Sequence, residues 1–409
     1  MTVSSQAWLW PRRVGLSLAC GLFVGSATAA FLASLNWVTD FRTTHPGIMW
    51  LLPLGGLGIG WMYHHFRSRG NSGVTAVLEE INSPTTPLPT RMAPMILGGT
   101  LLTHLVGGSA GREGTAVQMA AAISDQLCRV IPLSGSERRR LLIAGAGAGF
   151  GAAIGAPIAG AIFGMEFRQV GKFEPIAIVD SIIASGIATV TVGWWGIHHT
   201  PYPRFAGHFQ FKHLIITATL AVAFGLAARF FVAISHGVQW ISKRMIQWPP
   251  LRPLVGGTLL AVVMTSGHRS EYAGLGIPTI LHALNDPSPW VTPIIKVGLT
   301  ALTIGTGFKG GEFMPLVFVG ATLGSAMGSL IPGMVPILSR TGFAAVFGAA
   351  ANTPLACTIM AVELFGISFA PYAFVGCFFA YFAAGNKGIY GGQYRTSSKF
   401  WFILRTPNG

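Results

Sequence analysis

Phe150-Gly151-Ala152-Ala153-Ile154-Gly155-Ala156-Pro157-Ile158-Ala159-Gly160-Ala161-Ile162-Phe163-Gly164-Met165-Glu166 has a second, altered copy later in the chain. Phe347-Gly348-Ala349-Ala350, Pro354, Ala356, Ile359 and Glu363 repeat its Phe-Gly-Ala-Ala, Pro, Ala, Ile and Glu, each displaced by 197 residues (Phe150 to Phe347, Glu166 to Glu363). Glu113 moved by the same distance lands within two residues of Glu312, in Lys309-Gly310-Gly311-Glu312. Each half therefore holds a Gly-rich loop with a Glu, then a helix, then a Gly/Ala/Pro helix ending in Glu. Membrane proteins built from such halves, often of inverted topology, place an ion site near the midplane between them. The expected division is residues 1–205 and 206–409, with a Pro/His-containing connector over 200–211 and no separate soluble domain.

The repeat sits in an apolar chain. Of 409 residues 51% are hydrophobic and 10% charged, and mean hydropathy is +0.57, which a soluble globular protein does not reach. Long apolar runs over 14–38, 176–197 and 214–234 suit membrane spans. The first is too long for a signal-peptide core and further spans follow, so no cleavable leader is expected. With 54 Gly and 25 Pro, many other apolar runs are interrupted and short for a bilayer crossing. Broken or re-entrant helices are tolerated at membrane depth where they are buried in protein or line a cavity, which points to a channel or transporter. The fold class is all-α and polytopic.

A net charge of +14 raises nucleic-acid binding as an alternative. The basic residues, however, occupy short connections: Arg12/Arg13, Arg67/Arg69, Arg138–Arg140 and Lys243/Arg244. That is the positive-inside pattern of cytoplasmic loops, without a basic stripe interleaved with aromatics, and no nucleic-acid partner is expected. Cys20, Cys128, Cys357 and Cys377 form no CxxC pair and read as small core residues. The histidines show no ligand spacing, so neither metal nor cofactor is expected.

Gly107-Gly108-Ser109-Ala110-Gly111-Arg112-Glu113-Gly114-Thr115 is the stretch with chemistry in it. Its glycines allow close backbone approach ahead of a helix, and the amides of that helix's first turn suit an anion. Glu113 is a carboxylate inside membrane-like sequence, where ionisable groups mark ion or proton pathways. Its structural alternative is a pair with Arg112, disfavoured because adjacent helical residues do not face each other. Two decoys lie nearby. Gly107-x-Ser109-x-Gly111 spells a nucleophile elbow but lacks a preceding strand, and Gly147-x-Gly149-x-x-Ala152 spells a dinucleotide fingerprint without a βαβ unit. Glu166 and Glu363 read as structural charges, and Ser136 as an N-cap after the basic connection.

Three loops resemble signatures of the CLC family of chloride channels and anion/proton antiporters. Gly111-Arg112-Glu113-Gly114-Thr115 resembles its GREGP loop, Gly311-Glu312-Phe313-Met314-Pro315 its GxFxP loop, and Asn71-Ser72-Gly73-Val74-Thr75 a degraded GSGIP loop. Tyr390, in a Gly-x-x-x-Ile-Tyr run, and the repeat around Pro157 and Pro354 also fit. The resemblance implies a homodimer with one anion pathway per subunit and two inverted halves. It makes Glu113 the gating glutamate, alternating with the anion and carrying protons. Phe313 and Met314 then present backbone N–H groups to the anion, and Tyr390 its hydroxyl or ring. Arg112, Gly114 and Thr115 complete the first loop. In the degraded loop, which also includes Gly73, the place of the central serine stays open between Asn71, Ser72 and Val74.

The departures are specific too. Thr115 stands where the family has Pro, and Thr75 likewise. GREGT with an altered serine region resembles the bacterial branch that exports fluoride, which also uses phenylalanine ring edges near the anion. Phe318, one turn after Met314, fits such a place, since a ring edge carries partial positive charge. Phe167 stands where many antiporters of the family have a proton-transferring glutamate, which leaves Glu166, water or another route for the proton. The expectation is a fluoride/proton antiporter in a bacterial plasma membrane, with a chloride channel or chloride/proton antiporter of the family as the alternative.

Overall fold

The structure is a computed structural model, and it describes residues 9–66, 73–266, 270–393 and 399. Sixteen α-helices occur among them, with no strand. They are α1 (Leu9–Thr44), α2 (Leu52–His65), α3 (Val74–Asn82), α4 (Met92–Leu105), α5 (Glu113–Val130), α6 (Gly135–Ile154), α7 (Pro157–Glu166) and α8 (Ile178–Trp194). The second half has α9 (Phe211–Met245), α10 (Leu251–Ser266), α11 (Ile277–Ala283), α12 (Val291–Thr306), α13 (Phe313–Gly328), α14 (Val335–Ala351), α15 (Pro354–Phe365) and α16 (Ala370–Ala383).

Segments Trp10–Thr44, Pro175–Trp194 and Phe211–Met245 are long and apolar enough to cross a bilayer. Most of the others are shorter. At 1.5 Å per residue, the 14 residues of α4 or α16 reach only about 21 Å, less than a hydrocarbon core of about 30 Å. Such helices must end inside the protein, and α5 and α13 do so by beginning there. Small residues allow this packing: Gly147 lies against Gly160 and Gly164, and Gly320 against Gly342. The dinucleotide decoy is thus the glycine face of a buried helix, α6.

The repeat is visible as reciprocal contact. Glu166, the last residue of α7, accepts hydrogen bonds from the Leu355 and Ala356 amides in the first turn of α15, at 3.0 and 2.8 Å. Glu363, near the end of α15, accepts from the Ile158 and Ala159 amides in the first turn of α7, at 2.9 and 2.7 Å. Each carboxylate satisfies the orphan donors at the other helix's N-terminus, where the helix dipole also favours negative charge. The structural reading of both glutamates stands.

Arg12, Arg13 and Arg138–Arg140 meet at one end of the bundle. Arg12 donates to the Pro132 carbonyl at 2.7 Å, and Arg13 Nε to Asp180 at 2.9 Å. Arg138 bridges Asp125 and Glu80, each at 2.7 Å, fastening α3, α5 and α6 together. The cap of α6 is Ser134, not Ser136. Ser134 and Glu137 form a complete capping box, whose three-residue spacing starts the helix one residue later.

Candidate functional site

The loops before α5 and α13 meet at the centre of the protein. Gly111 N–H donates to Gly311 O at 2.6 Å and Gly311 N–H to Gly111 O at 2.8 Å, an antiparallel pair between the halves. The first amides to return to their own helices are Ala116, to Arg112, and Leu316, to Glu312. The amides of Glu113, Gly114 and Thr115, and of Phe313 and Met314, precede the ladder and stand at two opposed helix N-termini. Glycine is required for this approach. A Cβ on Gly311 would lie 2.7 Å from the Gly114 nitrogen, and one on Gly111 would lie 3.0 Å from that of Met314.

Glu113 is buried at the start of α5, and its carboxylate folds back on that N-terminus. Oε2 accepts from the Arg112 amide at 3.2 Å, and Oε1 lies 3.3 Å from Arg112 Nε. The pairing with Arg112 disfavoured from sequence therefore forms. Arg112 is the N-cap, outside the helix, so the rule for adjacent helical residues does not govern it. Thr115 is fully buried and its hydroxyl hydrogen-bonds Thr100 of α4 at 2.7 Å. Ser109 pairs with Thr300 at 3.0 Å, while both ring nitrogens of His104 face backbone carbonyls, of Thr100 and Ala110. The nucleophile-elbow residues are thus held by groups that tie the loop to α4 and α12.

Phe313 sits in an aromatic stack at the junction of the halves. Its ring meets Phe150 edge-on at 5.4 Å and Phe347 at 4.6 Å, and those two, which are repeat equivalents, stack at 5.9 Å. Phe163 and Phe167 extend the stack, and Phe167 meets Tyr390 edge-on at 6.4 Å. Phe167 is therefore an apolar wall against Tyr390.

A cavity of roughly 960 Å³ leads to this region, with Tyr390 and Glu312 in its lining. Gly73, Val74 and Gln118 also line it, so the described part of the degraded loop reaches the same space as Tyr390. Asn71 and Ser72 lie outside the described residues. The lining is rich in basic groups, Lys243, Arg252 and Lys309, and Lys309 Nζ sits 4.0 Å from the centre of the Tyr63 ring. Lys243 belongs to the last turn of α9, beside the basic connection read as cytoplasmic. Phe318 is absent from this lining; it is fully buried, under Lys296 of α12.

Glu312, Lys309 and Lys296 were not singled out as site residues from sequence. Glu312 was signalled by the repeat offset and by its place in the loop that resembles GxFxP. Lys296 and Lys309 each sit as one cation in a run of small and apolar residues, a pattern that says little until the neighbours are known.

The model of the voltage-gated chloride channel family matches residues 55–385. A chloride/fluoride channel protein of Pseudomonas syringae pv. tomato is 41% identical over 382 residues, 91% of this chain and 84% of that one. An H(+)/Cl(-) exchange transporter of Cronobacter sakazakii is 25% identical, over 85% and 81% of the two chains. Among solved structures, a CLC-type fluoride/proton antiporter superposes with a TM-score of 0.91 at 28% identity, covering 97% of this chain and all of that one. A slow cyanobacterial Cl-/H+ antiporter shares the fold, at 20% identity and a TM-score of 0.81. With matched loops, opposed helix N-termini and a family match over most of its length, this chain belongs to the CLC family of voltage-gated chloride channels, as a polytopic membrane protein.

Proposed function

We propose that the protein exports fluoride from a bacterial cytoplasm across the plasma membrane in exchange for protons, as a homodimer of two-repeat subunits divided near residue 205. The observation that carries this reading is the position of Glu113. A carboxylate docked on the N-terminus of its own helix, opposite a second helix N-terminus, stands where an anion would be held. A carboxylate there is in competition with the anion, and on taking a proton it loses its charge and its claim on those donors. Protonation of Glu113 and occupancy by the anion are then linked, which is the requirement for exchange.

The anion approaches through the basic cavity and passes Tyr390. It meets the amides of Phe313 and Met314, with Arg112, Gly114 and Thr115 on the facing loop and Gly73 and Val74 lining the same space as Tyr390. Fluoride is strongly hydrated, so these donors must replace its water. Glu312 provides a proton route in place of the glutamate that Phe167 displaces. It lines the cavity, and its Oε2 lies 4.0 Å from where a Cβ on Gly114 would be. Fluoride rather than chloride is favoured by the likeness to a CLC-type fluoride/proton antiporter, at a TM-score of 0.91 and 28% identity, and by Thr115 in the loop. The alternative, chloride conduction or chloride/proton exchange, rests on the similarity to the exchange transporter at 25% identity.

Fluoride and chloride efflux from proteoliposomes, each followed with an anion electrode and a pH electrode, tests the reading. Fluoride efflux with opposed proton movement is expected. Chloride efflux equal to or faster than fluoride efflux overturns the assignment.

A further inference from the structure

Lys296 is fully buried in α12, and its ammonium forms no ion pair among the described residues. Two of its three N–H groups donate to the carbonyls of Tyr272 and Gly274, both at 2.9 Å. The nitrogen also lies 5.0 Å from the centre of the Phe318 ring. That ring is fully buried, with Tyr272 tilted against it at 5.9 Å and Gly276 at its edge. At Gly276, φ is +73° and a Cβ would meet Phe318 Cδ2 at 2.6 Å, so the backbone closes on the ring as only glycine permits. A second cation borders the same turn: a Cβ on Gly274 would lie 2.9 Å from the Arg42 guanidinium.

Two features set this apart from an ordinary buried lysine. Anchoring the 270–276 turn needs two hydrogen-bond donors, which a neutral amide supplies without the cost of burying an unpaired charge. The charge itself is the unexplained part. Phe318 also follows Met314 by four residues in α13, and helical side chains lean toward the N-terminus, so its ring leans toward the Phe313 and Met314 amides.

We propose that Lys296 is a specificity-determining positioning residue, holding Phe318 by one face and drawing density from the ring so that its edge favours a small, hard anion. A cation on the face of a benzene ring is attracted by the quadrupole and polarises it, and the edge hydrogens become more positive. A positive charge on Lys296, with Arg42 at the same turn, also raises the local potential around Phe318. The inference rests on the fluoride reading of the same site.

The test uses the full chain in proteoliposomes, comparing the ratio of initial fluoride to chloride efflux rates. Lys296→Gln keeps an amide donor for the two carbonyls and removes the charge; Lys296→Met removes both; Lys296→Arg keeps a cation. The neutral variants are expected to lose roughly tenfold in the ratio, the scale of a desolvated cation–aromatic contact, while Lys296→Arg retains most of it. Phe318→Leu is expected to lose as much, and Lys296→Gln added to it to lose little more. A Lys296→Gln protein that is monodisperse with an unchanged ratio overturns the inference, as does a fully additive double variant. If neither neutral variant is monodisperse, Lys296→Arg decides: a ratio reduced as far as that of Phe318→Leu overturns it. The unmodified chain is assayed first. Absence of fluoride flux there overturns the fluoride reading and this inference with it, whereas fluoride flux indifferent to Lys296 overturns the inference alone.

Discussion

Gly111 and Gly311 exchange both of their backbone hydrogen bonds, at 2.6 and 2.8 Å, and so join the two halves of the chain at the mouths of α5 and α13. Each of them is crowded by the other half's helix start, because a Cβ on either would strike an amide nitrogen. Gly311→Ala is therefore expected to lower the melting temperature in detergent, with an overpacking cost of about 1–3 kcal/mol, and to reduce anion flux strongly. Half-buried Gly186, with nothing near its would-be Cβ, is the control. A Gly311→Ala protein with full flux would show that this close approach is dispensable.

Glu113→Gln removes the titrating group and keeps the side chain's shape. Proton movement is expected to cease, while any remaining anion flux becomes independent of the proton gradient. The check is a pH electrode beside the anion electrode in one vesicle preparation. Proton transport at the unmodified rate would exclude Glu113 as the carrier.

Glu166 and Glu363 each cap the helix that bears the other. Truncation to Ala leaves two amides without an acceptor, at an expected cost of about 2–4 kcal/mol each. Gln retains one acceptor oxygen and is expected to cost less. Glu166 is the more buried and its loss is expected to be the larger. Thermal unfolding of the four variants in detergent measures this, and the reverse order, Glu363→Ala the more harmful, would refute the burial argument.

Lys309, Lys243 and Arg252 make the cavity electropositive. Attraction of this kind raises local anion concentration and weakens with ionic strength. Lys309→Met is expected to reduce anion uptake from that side several-fold at low salt, with the difference shrinking in 0.3 M of an inert salt (about a 6 Å Debye length). A deficit that is the same at all salt concentrations would assign Lys309 a local contact in place of a long-range field.

Glu312→Gln separates the proton route from the anion route. Anion flux is expected to persist, with proton counter-transport reduced by at least about tenfold, the scale on which a positioned proton-transfer group acts. Unchanged coupling would leave the route to water or to another group.

Local order carried much of the fold. The apolar runs, the Gly/Pro interruptions and the repeat at 197 residues are all statements about residues near each other or at one constant spacing, and they sufficed for an all-helical membrane protein, while the resemblance of three loops supplied the family. The start of α5 was legible for the same reason, since a glycine-rich loop followed by an apolar helix is a local pattern. What needed three dimensions was everything set by which segments face each other. No spacing revealed that Glu166 and Glu363 cap one another's helices, that Thr115 hydrogen-bonds Thr100, or that Arg112, by standing outside the helix, can reach Glu113. Nor could sequence place Lys296 under Phe318, because α12 and α13 are joined by a loop whose path decides which faces meet. A membrane-embedded charge is costly wherever it lies, so sequence shows that it must have a purpose; only the packed structure shows which ring, carbonyl or helix end it serves.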